Sequence, residues 1–214
     1  MFCPEDSEGG ITSVSFRTSG SKVSKAFDID SVGVPREINV FEEKLPSQEF
    51  RHMFSFGVTI ELAQGKFHRT KVITVRPRFL LANRCLREVY YKQIGLGVNF
   101  VYTLPPNAVL PFHWPNQSGT MMLSVSFAPT AEFGCWSGGF SITDIGRFCV
   151  KVHSAGGVQG ASDFVWVEVT MSAATLVVSF SPCPRDRPAY RIDNRTQIPA
   201  VVVQTDIGSP STVP

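Results

Sequence analysis

Hydrophobic and polar residues alternate with a period of two along several short segments of this 214-residue chain. Successive side chains of an extended strand point to opposite faces of a sheet, so this period predicts strands with one buried face. No helical stripe longer than ten residues is present, and most of the 15 prolines and 17 glycines lie between the segments as turn residues. The predicted strands are 56–62, 71–75, 122–127, 148–152, 164–169, 175–180 and 200–203.

Short sequences return about 111 residues later in the chain. The tetrapeptide SVSF at 13–16 recurs at 124–127, and Asn83 recurs as Asn194 with the same offset. Between these anchors the offset rises to 113 and then recovers, which a two-residue insertion in a loop explains. Several matches in one order at nearly one spacing predict an internal repeat of about 111 residues.

Short strands, frequent turns and the length of the repeat together predict the fold class. Many short strands with turn residues between them favour an antiparallel β-sandwich, and a unit of about 111 residues has the size of one sandwich. We therefore expect an all-β chain of antiparallel β-sandwich repeats, one complete and flanked by partial repeats. The expected divisions are a disordered segment at 1–10, the C-terminal part of a repeat at 11–70, a complete repeat at 71–182, and the first strand of a following repeat with a tail at 183–214.

Composition and charge exclude several classes of function. Twenty Lys and Arg residues against 18 Asp and Glu residues give a net charge of +2, which is too small for the basic surface of a nucleic-acid-binding protein. No segment approaches the roughly 20 apolar residues of a membrane-spanning helix. The first residues lack the basic and then apolar regions of a signal peptide. The sequence therefore predicts no nucleic-acid partner, no membrane span and a cytoplasmic location.

Residues that carry catalytic or metal chemistry are scattered along the chain. The five cysteines are odd in number and form no CxxC pair, which disfavours a disulfide framework or a zinc site and fits a reducing compartment. The four histidines have no metal-ligand spacing. Ser137 lies in GCWSGG, which resembles a nucleophile elbow, but Cys135 occupies a position that requires glycine. We expect no metal site, no cofactor and no enzymatic activity.

Several longer motifs together resemble one known family. They are the segments 110–115 (LPFHWP), 136–142 (WSGGFSI), 166–169 (WVEV) and 188–196 (PAYRIDNRT), together with Gly146. The combination resembles the adaptor-binding region of the vacuolar protein sorting 13 family and covers most of residues 12–205. One departure is Val23, which stands where the preceding repeat of the family would carry tryptophan.

This resemblance implies a role in targeting. Proteins of the vacuolar protein sorting 13 family are very long lipid-transfer proteins that bridge organelles at membrane contact sites. Their adaptor-binding region is an array of β-sandwich repeats that recognises short proline-x-proline motifs of organelle adaptors. By resemblance, we expect this chain to bind such adaptors, to contact neighbouring repeats of the same array, and to associate peripherally with organelle membranes through the adaptors.

The resemblance also singles out a signature asparagine in each repeat, at Asn83 and Asn194. Such an asparagine can tie a loop to its strand, contact the adaptor backbone, or do both by shaping the binding edge. Trp114, flanked by prolines, can either pack under a loop or act as an exposed docking aromatic. The aromatic residues expected in the core are Trp136, Phe140 and Trp166.

Other interpretations stay open. The repeats can be spacers with no direct ligand, while recognition takes place elsewhere in the array. An extracellular adhesion or carbohydrate-binding sandwich is favoured by the glycosylation tripeptides at Asn116 and Asn194, and disfavoured by the missing signal peptide. The arginines at 76, 78, 84 and 87 form either an ordinary solvated face or a surface for anionic membranes or acidic peptides.

Overall fold

The structure is a computed structural model and describes residues 13–43, 48–128, 135–153, 162–184 and 193–199. Its helices are two single turns of 3₁₀ helix in the described residues, Gly65–Phe67 and Val98–Phe100, and neither could cross a membrane. The prediction of an all-β fold built from antiparallel sheets is confirmed. The strands are β1 (Ser13–Val14), β2 (Phe27–Asp28), β3 (Arg36–Phe41), β4 (Met53–Leu62), β5 (Lys71–Pro77), β6 (Phe79–Asn83), β7 (Val89–Gln93), β8 (Tyr102–Leu104), β9 (Val109–Phe112), β10 (Leu123–Ser126), β11 (Gly146–His153), β12 (Ser162–Ser172) and β13 (Thr175–Pro182).

The alternating pattern predicts the longer strands well and misses the less regular ones. Predicted strands coincide with β4, β5, β10, β11, β12 and β13. The predicted strand at 200–203 and the predicted disordered segment at 1–10 lie outside the described residues. β7 carries the buried polar residue Gln93 and β9 contains Pro111, so their side chains do not alternate clearly between apolar and polar. The predicted repeat boundaries stay a prediction.

Contacts within the chain divide it into two units. Within the described residues, the first unit comprises the chain up to Leu80 together with Leu110–Ser118 and Thr170–Val177. The second unit comprises Leu81–Val109, the described part of 119–169, and the described residues from Val178 onward. Strands β6, β9, β12 and β13 each have residues in both units.

The first unit is built on an antiparallel sheet in the order β3-β4-β5. Ile38 and Val40 of β3 lie on the same face as Val58 and Ile60 of β4, and all four side chains are buried. Alternation along the two strands therefore places one apolar row of each strand in the core. Partly buried residues that pack against this cluster are Phe16, Phe27, Ile29, Phe54 and Phe56.

Two main-chain segments of the first unit approach each other closely beside this sheet. A Cβ atom added to Gly57 of β4 would lie 2.1 Å from the carbonyl oxygen of Ala174, in the turn between β12 and β13. Arg78 donates from Nη1 to the same oxygen at 2.9 Å and from Nε to the Glu37 carboxylate at 3.0 Å. Glycine is therefore required at position 57 by the space available rather than by its backbone angles.

The second unit contains the candidate functional site. Strands β10, β7 and β8 form an antiparallel sheet with β7 in the middle. β11 pairs with β12 in an antiparallel register, within a sheet of the order β11-β12-β13-β6-β9. Val165, Val167 and Val169 form the buried row of β12, while the residues between them lie on the opposite face.

Candidate functional site

Asn83 ends β6 and is buried in a tight loop of the second unit. Its Nδ2 donates to the main-chain oxygens of Arg87 and Leu104, both at 2.9 Å. Its Oδ1 accepts the N–H of Cys85 at 2.8 Å. Both amide hydrogens and the amide oxygen are thus bonded within the protein, which matches an asparagine that ties a loop to its strand.

Asn194, which lies 111 residues after Asn83, makes the same local bonds. Its Nδ2 donates to the main-chain oxygen of Ile198 at 2.9 Å, and its Oδ1 accepts the N–H of Thr196 at 2.9 Å. The acceptor lies four residues after the asparagine and the donor two residues after it, as they do at Asn83. Asn194 itself is exposed. The side-chain bonds therefore repeat with the offset of 111 residues found in the sequence.

The loop that follows Asn83 holds one large apolar side chain in solvent. The N–H of Arg84 donates to the carbonyl oxygen of Phe180 at 2.7 Å, and Cys85 is buried beneath the loop. The bonds from Asn83 to Cys85 and Arg87 fix the main chain on both sides of Leu86. The side chain of Leu86 is 92% exposed as a result.

A groove of about 340 Å³ lies beside this loop, within the second unit. The guanidinium carbon of Arg87 lies 3.4 Å from the ring centroid of Phe127, and Arg87 Nη2 lies 2.6 Å from Asp163 Oδ2. Phe164 is exposed at the groove, and its neighbours there are mostly apolar. The remaining lining residues are Cys85, Leu86, Pro182 and Cys183.

Two thiols in the second unit are held in their neutral form. Burial raises the pKa of Cys85, although the positive charge of Arg87 acts in the opposite direction. Burial also raises the pKa of Cys149 to about 12, and a hydrogen bond with Cys183 adds to this effect. Because the thiolate is the reactive form, neither of these two cysteines is activated as a nucleophile near neutral pH.

Trp114 is a core residue of the first unit. Its side chain is only 2% exposed and packs against Phe79 and Phe112, with ring centroids 6.1 and 4.9 Å away. Its carbonyl oxygen accepts the N–H of Met53 at 2.9 Å, which fixes the segment between the flanking prolines to the start of β4. This burial matches packing under a loop and argues against an exposed docking aromatic.

The expected core positions of three other aromatic residues are right in one case and wrong in two. Phe140 is buried, and its ring lies 6.4 Å from that of Phe180. Trp136 and Trp166 are only half-buried, and each carries a cation over its ring: Lys92 at 4.4 Å and Arg147 at 4.5 Å, respectively. Trp166 lies between the buried valines of β12 and therefore on the opposite face of the strand.

The arginines of the predicted basic cluster differ in their contacts. Arg78 is bonded to Glu37 and Ala174, while Arg87 is bonded to Asp163 and stacked on Phe127. Arg76 and Arg84 are exposed. In the segment 183–214, which is predicted to begin a following repeat, Arg195 is exposed. Arg185, Arg187 and Arg191 lie outside the described residues.

Ser137 is a structural residue in the second unit. It is buried, its Oγ accepts the N–H of Val125 at 3.0 Å, and the hydroxyl donates to the carbonyl oxygen of Gly138 at 2.9 Å. Its hydroxyl is thus used in main-chain bonds, unlike the exposed serine of a nucleophile elbow. Among the residues that the structure describes, no three His, Cys, Asp or Glu side chains come close enough to hold a metal ion.

Most of the groove could not be found by sequence reasoning. Leu86 and Arg87 follow the signature asparagine directly, and this proximity is the one signal that could have pointed to them. Phe127 and the pair Asp163 and Phe164 are distant in sequence, and only strand pairing brings them to the loop. None of these residues belongs to a sequence motif with its own chemistry.

The fold and the groove define the class of protein. A β-rich chain with repeated loops and an apolar groove has the features of a binding module. The sequence profile of the adaptor binding domain of vacuolar-sorting associated protein 13 matches residues 1–212. The chain therefore belongs to this family.

Curated relatives carry the same family name. The chain is 26% identical over 167 residues to intermembrane lipid transfer protein vps13D of Dictyostelium discoideum, which covers 78% of the chain. It is 28% identical over 166 residues to VPS13D of Homo sapiens and 25% identical over 164 residues to Vps13D of Drosophila melanogaster, covering 74% and 73% of the chain. The matched part is 4% of the length of each of these relatives.

Proposed function

We propose that this chain is an adaptor-binding module that recognises short proline-x-proline motifs and thereby targets a lipid-transfer protein to membrane contact sites. The family to which the chain belongs supports the binding of adaptors. The names of the relatives support a role within a lipid-transfer protein. The observation that carries the proposal is the apolar groove beside the Asn83 loop, which presents Leu86 and Phe164 to solvent.

The chemistry of the groove suits a proline-rich peptide. Proline rings pack on aromatic and aliphatic surfaces, and a proline-rich chain loses little entropy on binding because its backbone is already extended. Leu86, Phe164 and Pro182 offer such a surface. Arg87 adds guanidinium N–H groups that can donate to peptide carbonyl oxygens, since its plane is held by Phe127 and Asp163.

Asn83 contributes to this site by shaping it. Its polar atoms are all bonded within its own repeat, so it has no hydrogen left to donate to a peptide. Its bonds hold the main chain of Cys85 and Arg87, which places Leu86 at the mouth of the groove. Loss of the asparagine would therefore weaken peptide binding through the loop.

Fluorescence anisotropy with a labelled proline-x-proline peptide tests the proposal. We expect saturable binding that weakens about tenfold, or about 1.4 kcal/mol, in Leu86→Asp and Phe164→Asp. Val98→Asp changes another exposed apolar residue of the same unit, away from the groove, and should leave binding unchanged. Circular dichroism of each variant checks that the fold is retained.

The outcomes separate the parts of the proposal. Binding that survives both groove substitutions would place recognition elsewhere in the module. Failure of the folded protein to bind any proline-x-proline peptide would overturn the proposed specificity.

A spacer function is the second candidate, and one observation favours it. Asn83 is fully bonded within its own repeat, as expected of a residue that only maintains the fold. A spacer predicts that Asn83→Asp and Leu86→Asp leave adaptor binding by the full-length protein unchanged. A loss of binding with Leu86→Asp, in a protein that still folds, would exclude it.

A further inference from the structure

The connection between β4 and β5 carries apolar side chains that face solvent, and we call residues 62–71 the β4–β5 turn. Phe67 is 58% exposed and Leu62 is 52% exposed. The turn is nevertheless well formed, because the N–H of His68 donates to the carbonyl oxygen of Gly65 at 3.2 Å and the N–H of Thr70 donates to that of Phe67 at 2.7 Å. A Cβ atom added to Gly65 would meet open space among the described residues. The two apolar side chains therefore stand on a protruding part of the first unit.

Cations surround these apolar side chains. Lys66, Arg69 and Lys71 of the β4–β5 turn are all exposed. Lys66 Nζ lies 5.2 Å from the centroid of the Phe67 ring, and Lys71 Nζ lies 2.5 Å from Asp30 Oδ1. Among the described residues, no carboxylate forms an ion pair with Lys66 or Arg69. These two cations are therefore available to an anionic partner.

The sequence around the turn is rich in positive charge. Residues 62–87 contain seven Lys and Arg residues and no Asp or Glu, although the net charge of the whole chain is only +2. Glu61 directly precedes this segment, and its side chain lies on the opposite face of β4 from Leu62. The β4–β5 turn thus combines an apolar tip with a local excess of positive charge, which attracts anionic surfaces.

We propose that the β4–β5 turn contacts the surface of a membrane that contains anionic lipids. Phe67 and Leu62 enter the boundary between headgroups and acyl chains, where exposed apolar side chains are removed from water. Lys66 and Arg69 lie at the level of the headgroups and are attracted by their negative charge. This contact is direct, and it goes beyond the proposed binding of adaptors at the groove of the second unit.

The shape of the turn favours a membrane over an acidic peptide. A peptide is usually bound in a groove or along the edge of a sheet, where its side chains and main chain find partners. The N–H groups of His68 and Thr70 are already bonded within the turn, and Phe67 projects outward from it. A lipid surface yields to a projecting ring and can surround it, so it suits this geometry.

Co-sedimentation of the 214-residue chain with vesicles tests the proposal. We expect binding to phosphatidylcholine vesicles that contain about 30% phosphatidylserine to be at least about fivefold stronger than binding to phosphatidylcholine alone. The difference should shrink as the salt concentration rises, because salt screens the attraction. Equal binding to the two kinds of vesicle, or binding to neither, would overturn the proposal.

Substitutions in the turn separate its two contributions. Phe67→Ala removes the apolar tip, and Lys66→Glu/Arg69→Glu reverses two charges, so each should weaken binding to the anionic vesicles by at least about fivefold. Circular dichroism checks that each variant is folded. If neither change weakened binding, the turn would not be the contact and the proposal would be overturned.

Arg17→Glu/Lys22→Glu is the matched control for charge, since it alters the net charge of the chain by the same amount. Both residues are exposed. The N–H of Lys22 donates to the carbonyl oxygen of Phe41, at the end of β3 that pairs with Met53 and away from the β4–β5 turn. We expect less than about a twofold effect on vesicle binding. A loss as large as that of Lys66→Glu/Arg69→Glu would assign binding to the overall charge and overturn the proposal.

Phe67→Trp measures whether the tip enters the lipid. Vesicles with brominated acyl chains quench the fluorescence of a tryptophan that reaches the acyl chains. We expect stronger quenching in Phe67→Trp than in the unaltered chain. Equal quenching would show that position 67 stays outside the lipid and would overturn the proposal.

An acidic peptide is the alternative partner, and the same variants distinguish it. Anisotropy of a labelled glutamate-rich peptide that depends on Lys66 and Arg69, in a chain that does not bind anionic vesicles, would overturn the proposal in favour of the peptide. Binding of a proline-x-proline peptide should be unchanged in all these variants, because its proposed groove is formed by residues of the second unit. Failure of membrane contact and failure of adaptor recognition are thus separate results.

Discussion

Two ribbons of three antiparallel strands, β3-β4-β5 and β11-β12-β13, differ in what lies beside their third strand. In the ribbon β11-β12-β13 the third strand has a neighbour, β6, and its apolar residues Val178 and Phe180 are buried. In the ribbon β3-β4-β5 the third strand has no neighbour on its outer side among the described residues, and Ile73 and Val75 are exposed. Both strands are apolar on one face, so burial depends on the neighbouring strand as well as on the residues.

The two signature asparagines also differ in burial. Asn83 and Asn194 share the two bonds that close their own loops. Asn83 makes a third bond, to Leu104, which lies 21 residues further along the chain, and it is buried. The loop is thus a local structure, while the buried Asn83 is also bonded to a later strand, β8.

The largest effect on stability should come from removing a buried aromatic ring from the ribbon β11-β12-β13. Phe180→Ala leaves a cavity beside Phe140, and we expect a loss of about 3–5 kcal/mol in the free energy of unfolding. Phe67→Ala, at an exposed ring of the first unit, should cost less than about 0.5 kcal/mol. Urea denaturation measures both, and similar losses would contradict the difference in burial between the two rings.

A methyl group at position 57 tests the close approach in the first unit. In Gly57→Ala the new Cβ would lie 2.1 Å from a carbonyl oxygen of the main chain, so the β12–β13 turn must shift. We expect a cost of about 3 kcal/mol. Gly97→Ala places a methyl group in open space and is the control. Thermal unfolding would show the difference, and equal melting temperatures would contradict it.

Removal of each signature asparagine tests whether the third bond matters. Asn83→Ala leaves the buried N–H of Cys85 and the carbonyl oxygen of Leu104 without these bonds, which we expect to cost about 2 kcal/mol. Asn194→Ala acts on an exposed loop and should cost less than about 0.5 kcal/mol. Chemical denaturation of the two variants makes the comparison, and an equal loss would show that the local bonds dominate.

The smallest effect is a dependence of stability on pH, which arises beside the ribbon β3-β4-β5. Burial and the nearby His52 lower the pKa of His113, which packs against Phe54 and Phe56. The unfolded chain therefore binds a proton at a pH where the folded chain does not. This contribution to the free energy of unfolding should be fully present above the ordinary pKa of histidine. It should be lost as the pH falls from that value towards the lowered pKa of His113.

A pair of variants assigns this pH dependence. Urea denaturation at pH 7.5 and 5.5 should show a smaller change in His113→Phe than in the unaltered chain. His68→Gln, at an exposed histidine, should leave the change as it was. If His113→Phe retained the full pH dependence, another group would be responsible.

Sequence alone predicts the parts of this fold that are regular along the chain. The alternation in β4, β5, β12 and β13 is visible because one face of each strand is apolar. Trp166 shows where this fails, because an aromatic residue on the outer face can be covered by Arg147 instead of the core. The groove is not predictable either, since it depends on strand pairings that bring Phe127 and Asp163 to the Asn83 loop.

The bonds of the asparagine loops also bear on the order in which a long protein folds. Each loop needs only the four residues that follow its asparagine, so closing it costs little chain entropy. The loop can form soon after those residues leave the ribosome, before the rest of the repeat has been made. During synthesis, the turn after Asn83 would then already be fixed when β7 and the later strands of the chain are made.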